Sequence, residues 1–229
     1  MPTTSVPGAA IDRRLLRATS GGGRILTVVV LIMAALAASS QLAGGQAAGP
    51  DSLGGAQLLA ALRGGGYILY FRHADTDFRQ KDTHMRSVDD CANQRNLTDR
   101  GRDHARAIGE AIRALRIPIG SVLAGPLCRT VETAMLAFGR VERSAAVIET
   151  GPEAPGTPDR FSALRDLLST APPSGTNVVI VGHAYRFYSL VGGQYLEEGE
   201  ASIVRPTASG FTEVARAGLA QWRELAKLD

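Results

Sequence analysis

Apolar and polar positions fall into blocks whose period changes along the chain. Tyr67–Phe71 and Asn177–Val181 are near-continuous apolar runs bounded by glycine, the pattern of strands buried on both faces. Ile119–Leu123 reads as a shorter strand and Phe211–Val214 as a late one. Between them the period lengthens. Ala105, Ile108, Ile112 and Leu115 recur at helical spacing after Thr98, a capping residue, and Pro118 closes the segment. Leu127, Val131, Met135 and Phe138 define one face of a helix entered at Pro126 and stopped by Gly139. Thr157-Pro158 opens another helix, with Phe161, Leu164, Leu167 and Leu168 turned inward. Short helices are expected at Ala56–Leu62 and Gln221–Leu228. Strands alternating with helices predict an α/β fold, a three-layer sandwich with a mostly parallel central sheet and helices on both faces.

Two segments stand outside this alternation. Residues 74–97 are polar, rich in acids and arginine, and without a period, which predicts a long loop of the kind that carries function. Residues 1–48 read as a leader plus a Gly/Ala-rich linker. Arg13, Arg14, Arg17 and Arg24 precede the uncharged run Ile25–Ala38, with a small-residue site at Ala35-Leu36-Ala37, the layout of a signal peptide. The run is shorter than the roughly 20 residues that span a bilayer. Extension through residues 39–43 makes an uncleaved anchor over residues 25–43 the alternative. In either case a domain over residues 49–229 is expected to be exported, to the periplasm or the extracellular space.

Charge changes the picture once the leader is set aside. The chain holds 25 Lys+Arg and 22 Asp+Glu; residues 1–37 take four and one of these, leaving 21 of each. The basic excess belongs to the leader, so no nucleic-acid surface is expected on the domain. Cys91 and Cys128 lie in the exported part, where a disulfide and two small buried thiols are both consistent readings. Their spacing does not suit zinc, and neither a metal nor a cofactor is expected.

Candidate chemistry sits at element boundaries. Arg72-His73 follows directly on the first apolar strand, Arg129 lies in the first turn of the helix after Pro126, and Gly182-His183 ends the strand 177–181. Strand ends are where open α/β sheets bind ligands. Singly, each residue has a duller reading: a surface charge, a hydrogen-bonded core histidine, or an Arg129–Glu132 helical pair. Together, two imidazoles and two guanidiniums suit phosphoryl transfer. A neutral imidazole attacks phosphorus to give phosphohistidine. The planar guanidinium fork holds two phosphoryl oxygens at once.

The sequence also resembles a known family. Tyr70-Phe-Arg-His-Ala-Asp-Thr-Asp-Phe78 is similar to the Arg-His-Gly signature of the histidine phosphatase (phosphoglycerate-mutase-like) superfamily, with Ala74 in place of glycine. Asn96–Gly101, Ala124–Ala134 and Val181-Gly-His-Ala184 resemble its later motifs, in order. The resemblance implies His73 as the phosphorylated nucleophile, with Arg72, Arg129 and His183 completing a metal-independent phosphate pocket. It gives Arg79 as a substrate ligand and Arg95 and Asn96 as rim residues. The general acid is left open between Glu149, Glu153, Asp75 and none. The implied activity is hydrolysis of phosphate monoesters or related phosphorylated groups, on a small-molecule or cell-envelope substrate. A phosphoglycerate-type mutase and a non-catalytic phosphate-binding envelope module are the alternatives.

Overall fold

The computed structural model describes residues 52–147 and 161–228. The leader, Glu149, Glu153 and the helix start at Thr157-Pro158 lie outside the described residues. By contacts the chain divides into Met1–Ala48 and Gly49–Asp229, and the second unit carries the fold. Its elements run α1 (Gly55–Gly64), β1 (Ile68–Arg72), α2 (Asp99–Ala114), β2 (Ile119–Ala124), α3 (Cys128–Phe138), β3 (Glu142–Arg143), α4 (Ser162–Ser169), β4 (Asn177–Gly182), α5 (Ala184–Val191), β5 (Ala201–Thr207), β6 (Gly210–Ala217) and α6 (Leu219–Leu225).

The sheet order is β3-β2-β4-β1-β5-β6. The first four strands pair in parallel, and β5 and β6 add an antiparallel hairpin to the β1 edge. Strand alternation sorts side chains between two cores. Leu69 and Phe71 of β1 join Val179 and Val181 of β4 against α1, α2, α3 and α6, with Trp222 fully buried among them. Ile68, Tyr70 and Ile180 face the opposite way, against Leu164 and Leu168 of α4 and Phe187 of α5. A strand with apolar residues on both faces has to be central, and β1 and β4 are the two middle strands.

The helix caps explain the boundaries. The Thr98 side chain accepts from the Gly101 amide at 2.9 Å, as expected of the residue that opens α2. Gly139 ends α3 with φ of 71°, a left-handed stop. Of the expected α3 face, Leu127 is buried and Val131 and Phe138 pack against the core, but Met135 does not. Met135 is 47% exposed, and the inward residues include Arg129, Thr133, Ala134 and Ala137. Small residues face inward because α2 lies very close: a Cβ on Gly109 would fall on the Ala137 backbone carbonyl. Leucine-sized groups do not fit there.

That contact yields a prediction. Gly109→Ala raises helix propensity by about 1 kcal/mol, but the added methyl overpacks the α2–α3 interface by about 1–3 kcal/mol or more. The variant is expected to unfold at a lower denaturant concentration than the wild type. An unchanged or higher midpoint would contradict the packing.

Candidate active site

Each of the four motif residues is delivered by the end of an element. His73 follows β1, and its amide donates to Gly182 O at 3.0 Å, tying it to the end of the neighbouring strand β4. Tyr70 fixes the other histidine. Its hydroxyl donates to His183 O at 3.0 Å and accepts from His183 N at 3.1 Å. A Cβ on Gly182 would run into that hydroxyl, so the glycine before His183 makes room for the bracket. The two imidazoles meet edge to face with centroids 5.2 Å apart. His73 is 1% and Arg129 3% exposed.

The tautomer of His73 follows from one contact. Its Nδ1 lies 2.9 Å from Ala74 O, and a carbonyl only accepts, so Nδ1 carries the hydrogen and Nε2 keeps its lone pair. Burial, then the charge of His183, hold the His73 pKa well below the usual 6.5; Arg129 and Arg72 add to this, against the opposing bond to Ala74 O. His73 is therefore a neutral imidazole near neutral pH, flanked by cations. Ala74 is accommodated without strain: it is fully buried, and its amide donates to Thr133 Oγ1 at 3.1 Å. Thr133 Oγ1 in turn donates to Arg129 O at 2.7 Å, coupling the nucleophile loop to α3.

The 74–97 loop packs against Arg129 and the start of α3. Cys91 and Cys128 form a disulfide, with Cα atoms 5.7 Å apart, so the open reading of the cysteines resolves to a cross-link. Gln94, also buried, accepts from the Cys128 amide at 2.9 Å and donates to Val88 O at 2.8 Å. The loop thereby lies across the start of α3. Asp82 Oδ1 then accepts from Arg129 Nη1 at 3.2 Å and from the Arg95 amide at 2.8 Å. A phosphoryl oxygen is the natural replacement for such a carboxylate on a buried guanidinium.

The remaining sequence candidates fall elsewhere. Arg79 is not drawn into the cluster: its side chain is 90% exposed and its guanidinium is paired with Asp77, two residues away, at 2.9 and 2.8 Å. The Arg95 guanidinium stacks over the Phe78 ring at 4.8 Å, while its backbone touches Asp82 and Arg129. Asn96 spends its amide on Cys91 O and Gln94 O, a structural role in the loop. Asp75 points to α2, bonded to His104 at 2.6 Å and Arg100 at 2.9 Å. Burial pushes its pKa up, but the hydrogen bond and charge of His104, with Arg100, bring it below the ordinary value, so it is a poor proton donor. No group of three or more His, Cys, Asp or Glu able to hold a metal ion occurs among the described residues.

Sequence reading missed one neighbour altogether. Glu198, in the loop between α5 and β5, places a carboxylate oxygen 3.6 Å from Arg72 Nη2 and 3.8 Å from His73 Nδ1. Nothing in the run Leu196-Glu-Glu-Gly-Glu200 marks it, because its partners lie more than a hundred residues upstream.

Comparison with known proteins finds one family match and several similar folds. Residues 68–154 match the model of the histidine phosphatase superfamily (branch 1). Among solved structures, a phosphoserine phosphatase variant of Entamoeba histolytica is 14% identical, with a TM-score of 0.49, over 68% of this chain and 98% of that one. A phosphoglycerate mutase of Bacillus anthracis is 12% identical, with a TM-score of 0.48, over 72% of this chain and 99% of that one. No curated protein matches the sequence. The family match spans β1 through the end of β3 and takes in the motifs around His73 and Arg129, so this part of the chain is similar to the histidine phosphatase superfamily, branch 1.

Proposed function

We propose that the protein is an exported phosphatase that hydrolyses phosphate monoesters or related phosphorylated groups through a phosphohistidine on His73. One observation carries the reading: a buried imidazole with a free Nε2 lone pair, its pKa lowered, faces a second imidazole at 5.2 Å under the charges of Arg129 and Arg72. Nε2 attacks phosphorus, the ester oxygen leaves with the bonding pair, and the cations hold the equatorial oxygens. Water then cleaves the N–P bond. The arginines and His183 supply the positive charge that the transferring group requires, and the protein is proposed to work without a metal.

Export is supported by the leader-like residues 1–48 and by the Cys91–Cys128 disulfide, since such bonds persist in oxidising compartments. No helix among the described residues is long and apolar enough to cross a membrane.

The test is hydrolysis of p-nitrophenyl phosphate, phosphoserine and phosphohistidine by the purified protein in the presence of a chelator. Release of phosphate to water is expected. Its absence across all three, with the protein folded, would overturn the reading.

A pH dependence follows. The attacking imidazole must be unprotonated, so activity falls as pH drops through the His73 pKa, which lies well below 6.5. The acid limb of kcat/KM is expected below that pH, and full activity between pH 6.5 and 7.5. A limb above 6.5 belonging to His73 would contradict the buried, cation-flanked ring.

A further inference from the structure

Glu198 is 13% exposed, so its carboxylate needs fixed partners. Thr76 supplies them: its hydroxyl donates to Oε1 at 2.6 Å and its amide to Oε2 at 3.2 Å. Both oxygens are thus oriented by a residue three positions beyond His73. The oriented Oε1 faces two members of the site, Arg72 Nη2 at 3.6 Å and His73 Nδ1 at 3.8 Å. Arg72 is held from the same loop by a bond from its Nη1 to Leu196 O at 2.9 Å. The Gly199 amide donates to His73 O at 3.0 Å, which closes the loop against the nucleophile.

The position on the ring decides what this carboxylate can do. It lies on the Nδ1 side, the end remote from the Nε2 that would bond phosphorus. A leaving group departs on the far side of phosphorus from Nε2, so Glu198 cannot reach it and is not the general acid. It stands instead where the ring develops charge. When the Nε2 lone pair forms the N–P bond and the P–O bond breaks, its electron pair leaves on the ester oxygen, as p-nitrophenolate for a p-nitrophenyl ester. The ring, retaining its Nδ1 hydrogen, becomes cationic. A fixed anion behind a histidine stabilises such a cation and holds its orientation.

We propose that Glu198 is a positioning residue for phosphoryl transfer: anchored by Thr76, its carboxylate orients Arg72 and His73 and balances the charge that the imidazole gains as phosphorus bonds to it. The proposal rests on the phosphatase reading of the site. A merely structural clamp between the 74–97 loop and the entry to β5 makes a different prediction, because it involves no charge.

The experiment compares wild type with Glu198→Gln, which keeps the shape and loses the charge. Kinetics use p-nitrophenyl phosphate, and binding of inorganic phosphate is read by calorimetry. Removing an anion from a pocket that binds anions tightens phosphate, while removing it from behind the cationic ring slows transfer. Glu198→Gln is therefore expected to lower kcat by about 10–100-fold, with KM unchanged or lower, and to bind phosphate several-fold more tightly. Thr76→Val releases the carboxylate without deleting it. It should show the same loss of kcat at smaller amplitude, and it serves if Glu198→Gln does not fold.

A kcat within twofold of wild type, a raised KM with kcat retained, or weaker phosphate binding would each overturn the proposal. Failure of the phosphatase reading looks different: wild type would bind phosphate and hydrolyse nothing.

Discussion

Replacing His73 with alanine is expected to lower p-nitrophenyl phosphate turnover by about a thousandfold or more, on the order of 4 kcal/mol in transition-state stabilisation. The size follows from the absence of a substitute among the described groups nearest phosphorus. His183 is the other imidazole, but its backbone is bracketed by Tyr70 on both sides, so it cannot slide into the vacated position. Arg72 and Arg129 stay charged and do not attack phosphorus. What survives in His73→Ala is phosphate binding by the arginines. The variant should therefore still be inhibited by inorganic phosphate while turning over almost nothing. Equal rates for the two proteins would remove His73 from the chemistry and leave a phosphate-binding module.

The second large effect concerns the disulfide. Cys91 and Cys128 are separated by 37 positions, and a loop of that length closed in the unfolded chain corresponds to about 4 kcal/mol of stability on the chain-entropy view. For a domain of this size the midpoint of thermal unfolding should fall by on the order of 10 °C in reductant or in a Cys91→Ala, Cys128→Ala double variant. A functional effect should accompany it. The cross-link fastens the 74–97 loop beside Arg129, and the same loop carries Asp82, which holds the Arg129 guanidinium. Loosening the loop frees Arg129 from its fixed orientation, so KM for a phosphate ester should rise. Coincident melting curves with and without reductant would contradict this.

How much of this was legible in the sequence depended on whether a residue's partners were near it in the chain or encoded by period. β1 and β4 could be read because both faces of each strand are buried, which forces uninterrupted apolar runs. α2 could be read because Thr98 caps it locally and its apolar face repeats. The positions of Arg72, His73, Arg129 and His183 at strand and helix ends were legible because apolar runs and the break at Gly125-Pro126 mark those ends in the sequence. The helix α5 was not: it begins directly after His183 without a side-chain cap, and only three of its eight residues are buried. Nor was β5, where Pro206 interrupts a strand pattern that the antiparallel edge of the sheet tolerates. Of the α3 face only Met135 departs from expectation: helical periodicity counts large apolar residues, whereas the close approach of α2 selects small ones. Arg79 was placed by motif position, yet Asp77 captures its guanidinium at the surface. Glu198 was invisible, since what makes it notable is contact across the fold with Thr76, Arg72 and His73.

The central claim is that phosphorus becomes bonded to Nε2 of His73, the residue that directly follows β1. The most direct measurement is a rapid quench of the protein with a phosphate-ester substrate, followed by alkaline-compatible digestion and mass spectrometry of the phosphorylated peptide. A phosphoryl group that is stable in base, lost in acid, carried by the peptide containing Arg72-His73-Ala74 and absent from His73→Ala is the predicted result. Turnover accompanied by a phosphoryl group on another residue would contradict it.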